Sequence, residues 1–149
     1  AIRAYLGKPL EEEAIAEAFR LTARLGLLPR AYLIYGCPGE SDATVERNLA
    51  LLRRIRPLSV VFYLLTLFPG TRLYEDYRRR AGVTDEIWRQ PMEDILYFQT
   101  DPGMTTEAVL DWGRRRREGF HRMLPEIVEA LELEERPELI AADMDRTNP

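Results

Sequence analysis

Residues 31–72 read "AYLIYGCPGESDATVERNLALLRRIRPLSVVFYLLTLFPGTR", and two short apolar runs in that stretch decide the fold class. "AYLIYG" (31–36) is too short and too β-rich for a helix and reads as a buried strand. "LSVVFYLLT" (58–66) is a continuous apolar run, as expected of a strand buried on both faces. Between them Ser41 can cap a helix, with Asp42 in its first turn. Val45, Leu49, Leu52 and Ile55 fall on one side of that helix, and Pro57 closes it. Upstream, Ile15, Ala18, Phe19, Thr22 and Leu25 form the stripe of an amphipathic helix from Glu12 to Leu25, with Gly26 as a left-handed stop. Downstream, a short helix is predicted from Thr71 to Arg80. The alternation of helix and strand predicts an α/β fold of parallel strands joined by right-handed crossovers. Two strands make no stable sheet, so further strands are expected upstream or in another chain.

After Gly82 the alternation ends. "DEIWRQPMEDILYFQTDPG" (85–103) reads as an irregular packing segment, with Trp88, Tyr97 and Phe98 as a satellite core holding the C-terminal helix. Thr105 caps a long helix through Leu124, and Pro125 is expected to interrupt it before a second run to Glu135. Trp112 and Phe120 lie eight apart on that helix, which supports packing against the rest. The acidic tail from Pro137 reads as loose.

The 149 residues are 46% hydrophobic and 31% charged, the composition of a globular chain. No apolar run reaches the roughly 20 residues of a membrane span, so no membrane association is expected. A net charge of −4 gives no global bias toward nucleic acid. Residues 114–117 are four consecutive arginines, which point all round a helix and cannot form one binding row. They read as a solvated face, paired in part with Glu107, Asp111 and Glu118 or with the acidic tail, and no nucleic-acid partner is expected. The single cysteine excludes an internal disulfide and fits a reducing cytoplasm. The chain begins at Ala1 without a cap or strand start, and it reads as a piece of something longer.

Both strands end in similar punctuation, "GCPGES" and "FPGTR". In parallel α/β architectures ligands bind at the carboxyl ends of strands. Pro fixes the path of such a loop, Gly lets a ligand approach its backbone, and N–H groups at the next helix start can face a polar ligand. The plain alternative is a tight strand-to-helix turn. Cys37 fails the tests for chemistry of its own. A phosphatase-type loop needs Arg six positions on, where Ala43 stands, and a metal site needs more ligands than the distant His121. Cys37 therefore reads as a small loop filler. Neither G-x-x-x-x-G-K-[ST] nor G-x-G-x-x-G is present.

Residues 31–57 followed by 60–80 resemble the later half of the radical S-adenosylmethionine (SAM) enzyme barrel. The similarity is greatest to the iron–sulfur oxidoreductases that often carry an upstream cobalamin-binding domain. That group shows Gly-Leu-Pro-Gly-Glu-Thr after its fifth strand and Pro-aromatic-Pro-Gly-Thr after its sixth. "GKPLEEEAIAEAFRLTARLGL" (7–27) resembles the preceding helix and "MTTEAVLDWGRRRREGFHRML" (104–124) the family's C-terminal helix. Cys37 stands where the group usually has Leu, and Leu67 where Pro is common. The C-x-x-x-C-x-x-C motif that holds a [4Fe–4S] cluster in that family is not in this sequence.

The resemblance implies a partial (βα) barrel segment in residues 1–82, a helical C-terminal extension in 83–136 and a flexible tail in 137–149. It implies SAM and a [4Fe–4S] cluster as cofactors of the full-length protein, with cobalamin in some members. None of these is expected to be held by this piece alone, which supplies no catalytic group. In such enzymes the reduced cluster passes an electron to SAM, and a 5′-deoxyadenosyl radical abstracts a substrate hydrogen. By resemblance Ile34 packs on adenine, Gly36 allows close approach, and Pro38, Gly39 and Glu40 line the nucleoside pocket, with Thr66 within reach of it. Tyr63, Phe68, Gly70 and Thr71 would face a small-molecule substrate. The implied partner is the upstream half of the same polypeptide, and the piece alone is expected to self-associate through an exposed strand edge. The rival reading is a non-catalytic interaction module with a barrel-like fold, its strand edge being the partner surface.

Overall fold

A computed structural model describes residues 2, 6–8, 10–89 and 98–130. Its elements run α1 (Glu12–Arg24), β1 (Arg30–Tyr35), α2 (Asp42–Ile55), β2 (Ser59–Leu64), α3 (Arg72–Ala81), a 3-10 turn (Asp85–Arg89) and α4 (Thr106–Ala130). The chain is an α/β structure with a two-stranded parallel sheet. Arg30 pairs with Ser59 at one end of the ladder and Tyr35 with Leu64 at the other, so both strands exit on the same rim.

Local signals bound α2 and α3 and start α4. Ser41 and Thr44 form a reciprocal capping box at the start of α2, and Arg56 closes that helix in the left-handed region. The Thr71 hydroxyl accepts from the Tyr74 N–H to cap α3, which stops at left-handed Gly82. Thr105 caps α4 by accepting from the Ala108 N–H at 3.2 Å. Pro125 does not break α4, which continues through it to Ala130.

Strand alternation divides the sheet into two unlike faces. Ala31, Leu33, Tyr35, Val60, Phe62 and Leu64 pack into a core with α2 and α4. Within that core Val45, Leu52 and Val109 are completely buried. The opposite face carries Tyr32, Ile34, Val61 and Tyr63, and here the expectation of burial on both faces fails. Tyr32 is 61% exposed, Tyr63 53% and Ile34 42%. The phenol rings of Tyr32 and Tyr63 stack at 6.1 Å on that uncovered face. An apolar run marks a strand that can be covered twice; among the described residues only one layer of helices does so.

On α1 the expected stripe holds at Ile15, Phe19 and Thr22, which are half-buried, whereas Ala18 and Leu25 face outward and Ala16 joins Ile15 and Phe19 against the core. The long helix α4, expected as an extension, lies in the same core as the sheet through Val109, Trp112, Phe120, Met123 and Ile127. Phe98 belongs to a second cluster with Cys37, Leu65, Leu67 and Tyr74, next to α3 rather than α4. Tyr97 and the tail from Pro137 lie outside the described residues.

Close approach of α4 to the sheet depends on Gly113. A Cβ there would lie 2.6 Å from Cε2 and Cζ of Tyr35 and 2.8 Å from its hydroxyl. Gly113→Ala is therefore expected to destabilise the chain by about 1–2 kcal/mol, overpacking outweighing the gain in helix propensity. Gly119 is a second such contact: a Cβ there would lie 2.6 Å from Cδ2, 2.8 Å from Cδ1 and 3.3 Å from Cγ of Leu49, a buried core side chain. Gly119→Ala is expected to cost a comparable amount, about 1–2 kcal/mol by urea unfolding.

Candidate functional site

The two strand-end loops are built alike. After β1, Pro38 and left-handed Gly39 occupy the middle of a turn closed by the Glu40 N–H donating to the Cys37 carbonyl at 3.2 Å. After β2, Pro69 and left-handed Gly70 do the same, with the Thr71 N–H donating to the Phe68 carbonyl at 3.2 Å. Pro followed by a positive-φ Gly is the chemistry of a type II turn. The space over both glycines is open, since a Cβ at either would meet nothing within 4 Å. The Leu65 N–H donates to the Tyr35 carbonyl at 2.8 Å and ties the two loop starts together.

The first loop spends its polar groups on the protein itself. The Gly36 N–H donates to Glu40 Oε2 at 3.1 Å, and the Gly36 carbonyl accepts from the Thr100 hydroxyl at 3.3 Å. The Gly39 N–H donates to Asp101 Oδ2 at 3.1 Å. The Ser41 N–H donates to the Thr44 hydroxyl at 3.3 Å. The N–H groups of Gly36, Gly39, Glu40 and Ser41 are therefore all taken up within the protein.

Glu40 also points inward. Its side chain is buried against Arg116 of α4, whose Nη2 donates to Oε2 at 3.3 Å. Arg116 is wholly buried, donates from Nε to Asn48 Oδ1 at 2.8 Å, and holds its guanidinium 5.8 Å from the Tyr35 ring centre. Among the described residues, its Nη1 has no hydrogen-bond partner. Burial pushes the Glu40 carboxyl above its ordinary range, opposed by the Arg116 charge and the Gly36 N–H. Burial lowers Arg116 as well, but from a value so high that it remains a cation at ordinary pH.

This corrects the reading of the arginine run. Arg114 pairs with Asp111 and, at 3.0 Å, with Glu118 on the outer face, as expected of a solvated helix. Arg115 pairs instead with Asp42 and Glu46 of α2. Arg116 is the exception to a solvated run. Its position was legible, because it falls on the apolar stripe of Val109, Trp112, Phe120, Met123 and Ile127.

The remaining candidates fall into two groups. Ile34 and Tyr63 share the uncovered strand face, and Phe68 is exposed on the rim above it. Thr66 is exposed beyond the end of β2, its hydroxyl 3.5 Å from the Leu64 carbonyl. Thr71, by contrast, is occupied: its hydroxyl donates to the Phe68 carbonyl at 2.7 Å and accepts from the Tyr74 N–H at 3.2 Å. Cys37 and Leu67, the two departures from the family pattern, lie buried in one cluster.

Cys37 is not a reactive thiol. Burial, reinforced by the neighbouring Glu40 charge, pushes it up to about 12. In the folded chain it is expected to resist a thiol reagent at pH 8 over a period in which the urea-unfolded chain reacts completely. Equal rates in the two states would contradict that placement. Among the described residues, no group of three or more His, Cys, Asp or Glu side chains could hold a metal ion, and no helix is long and apolar enough to cross a membrane.

No family model, curated protein or solved structure matches the chain.

Proposed function

We propose that this chain is the C-terminal portion of a radical SAM iron–sulfur oxidoreductase, forming part of the nucleoside pocket and substrate cavity of a partial barrel. The observation that carries the reading is the parallel pair β1–β2, whose two Pro-Gly turns stand on one rim above an uncovered strand face. A shared rim is the arrangement that lets successive strand-end loops contact one ligand.

The residues divide the work. Ile34 offers an apolar surface to a planar base from the open face, and the exposed Tyr63 and Phe68 would position a substrate and exclude water. Gly36, Glu40 and Thr71 shape the loops from within. The cluster does not fit this chain, whose one cysteine is buried and protonated and has no companion ligands among the described residues. Its thiolates belong to the proposed upstream half, together with the strands that would cover the open face. The chemistry supplied by the bound cofactors is reductive opening of a sulfonium and hydrogen abstraction, to which cobalamin would add methyl transfer.

The test is anaerobic reconstitution of the full-length protein with iron and sulfide. Cluster absorbance and reductant-dependent cleavage of SAM to 5′-deoxyadenosine and methionine are expected. Their joint absence would remove the enzyme reading and leave the interaction module. In an active protein, Ile34→Asp is expected to weaken SAM binding by about tenfold or more while cluster content stays unchanged.

A further inference from the structure

We propose that Arg116 is a positioning residue that, acting through Glu40, holds the Gly36–Glu40 loop in its turn at the end of β1. The chain of contacts is continuous: Arg116 Nη2 to Glu40 Oε2 at 3.3 Å, and Glu40 Oε2 to the Gly36 N–H at 3.1 Å. Gly36 itself sits at φ +85°, a region glycine enters without steric cost, so contacts rather than sterics select this one conformation. Asn48 fixes the other side of the guanidinium at 2.8 Å, and the Tyr35 ring, admitted by Gly113, lies beside it.

Stability alone gives no account of this arrangement. Apolar side chains of similar volume commonly pack at least as well as a buried ion pair, and here one guanidinium nitrogen has no partner among the described residues. What an ion pair supplies and an apolar pair does not is a defined direction at each atom. A carboxylate fixed by Arg116 presents Oε2 to the Gly36 N–H in one place only. The loop therefore takes its shape from a helix 76 residues away in sequence.

Amide hydrogen exchange on the 149-residue chain tests this. Arg116→Lys keeps the charge but not the forked geometry that reaches Glu40 and Asn48 together. It is expected to speed exchange at the Gly36 amide by about tenfold or more, with the Leu49 and Leu52 amides of α2 changing by less than about threefold. Glu40→Gln should speed Gly36 as well. Adding Arg116→Lys to Glu40→Gln should then change it by less than about threefold, because the effect runs through Glu40. Equal acceleration at Gly36 and the α2 amides would overturn the proposal, as would independent multiplication of the two effects. Should Arg116→Lys fail to fold, Asn48→Ala decides the matter: faster Gly36 exchange supports the proposal and unchanged exchange overturns it. Any consequence for a ligand rests on the function proposed above. A full-length protein that binds no SAM would sink that function, whereas the exchange pattern alone decides the role of Arg116.

Discussion

Arg116→Met is expected to destabilise the chain by about 3–5 kcal/mol, because it leaves the Glu40 carboxylate buried without its counter-charge. Both side chains are almost fully excluded from solvent, so screening by water offers little relief. Removing both charges, as Glu40→Leu with Arg116→Met, should restore most of the loss. The deficit must also depend on pH. Burial already raises the folded-state value of Glu40, and losing Arg116 raises it further. The single variant is therefore penalised least below the unfolded carboxyl range of about 4.3 and increasingly as pH rises through the folded value. Urea unfolding at pH 4 and pH 7 measures this directly. An equal deficit at both would show that packing, not charge, is what Arg116 supplies.

Trp112→Ala is the second large effect, an expected loss of about 3–5 kcal/mol, enough to leave a marginally stable domain unfolded at room temperature. The indole is buried in the core shared by α2, α4 and the sheet, and its Nε1–H donates to Asp42 Oδ1 at 3.3 Å. Asp42 is held in turn by Arg115, which keeps its carboxyl below the usual carboxylate range. Trp112→Phe retains an aromatic ring but gives up the hydrogen bond, and should cost only about 1 kcal/mol. Thermal unfolding followed by circular dichroism separates the two. Similar losses would mean that the Asp42 contact, rather than buried volume, fixes α4 onto α2.

The elements most legible in the sequence were those whose evidence is local. Ser41 and Thr105 cap the helices they were expected to cap, and Thr71, read as the first residue of its helix, is that helix's cap, because a cap is decided within a few residues. Val45, Leu49, Leu52 and Ile55 are the buried side of α2 for the same reason. The two Pro-Gly turns were likewise readable as turns. What covers a strand is not local, so the open face bearing Tyr32, Ile34 and Tyr63 could not be read from apolar runs. Nor could the direction of Glu40, which depends on Arg116 of a distant helix. The arginine run hid its one buried member because composition treats four like residues alike. The stripe on which Arg116 lies would have singled it out. Phe98 shows the same limit: its burial was expected, but its partners next to α3 were not.

The ties that shape the β1 loop carry a kinetic consequence. Gly39 to Asp101, Gly36 to Thr100 and Glu40 to Arg116 span 62, 64 and 76 residues of chain, and each must wait for its distant partner. Contacts of such long reach form late in folding, since closing the intervening segment costs entropy before any bond repays it. During synthesis from the amino terminus, the strands and α2 can emerge from the ribosome well before residue 116 does. The rim thus matures only once α4 has docked, and a nascent chain stopped short of α4 would carry the Pro-Gly sequence without its finished form.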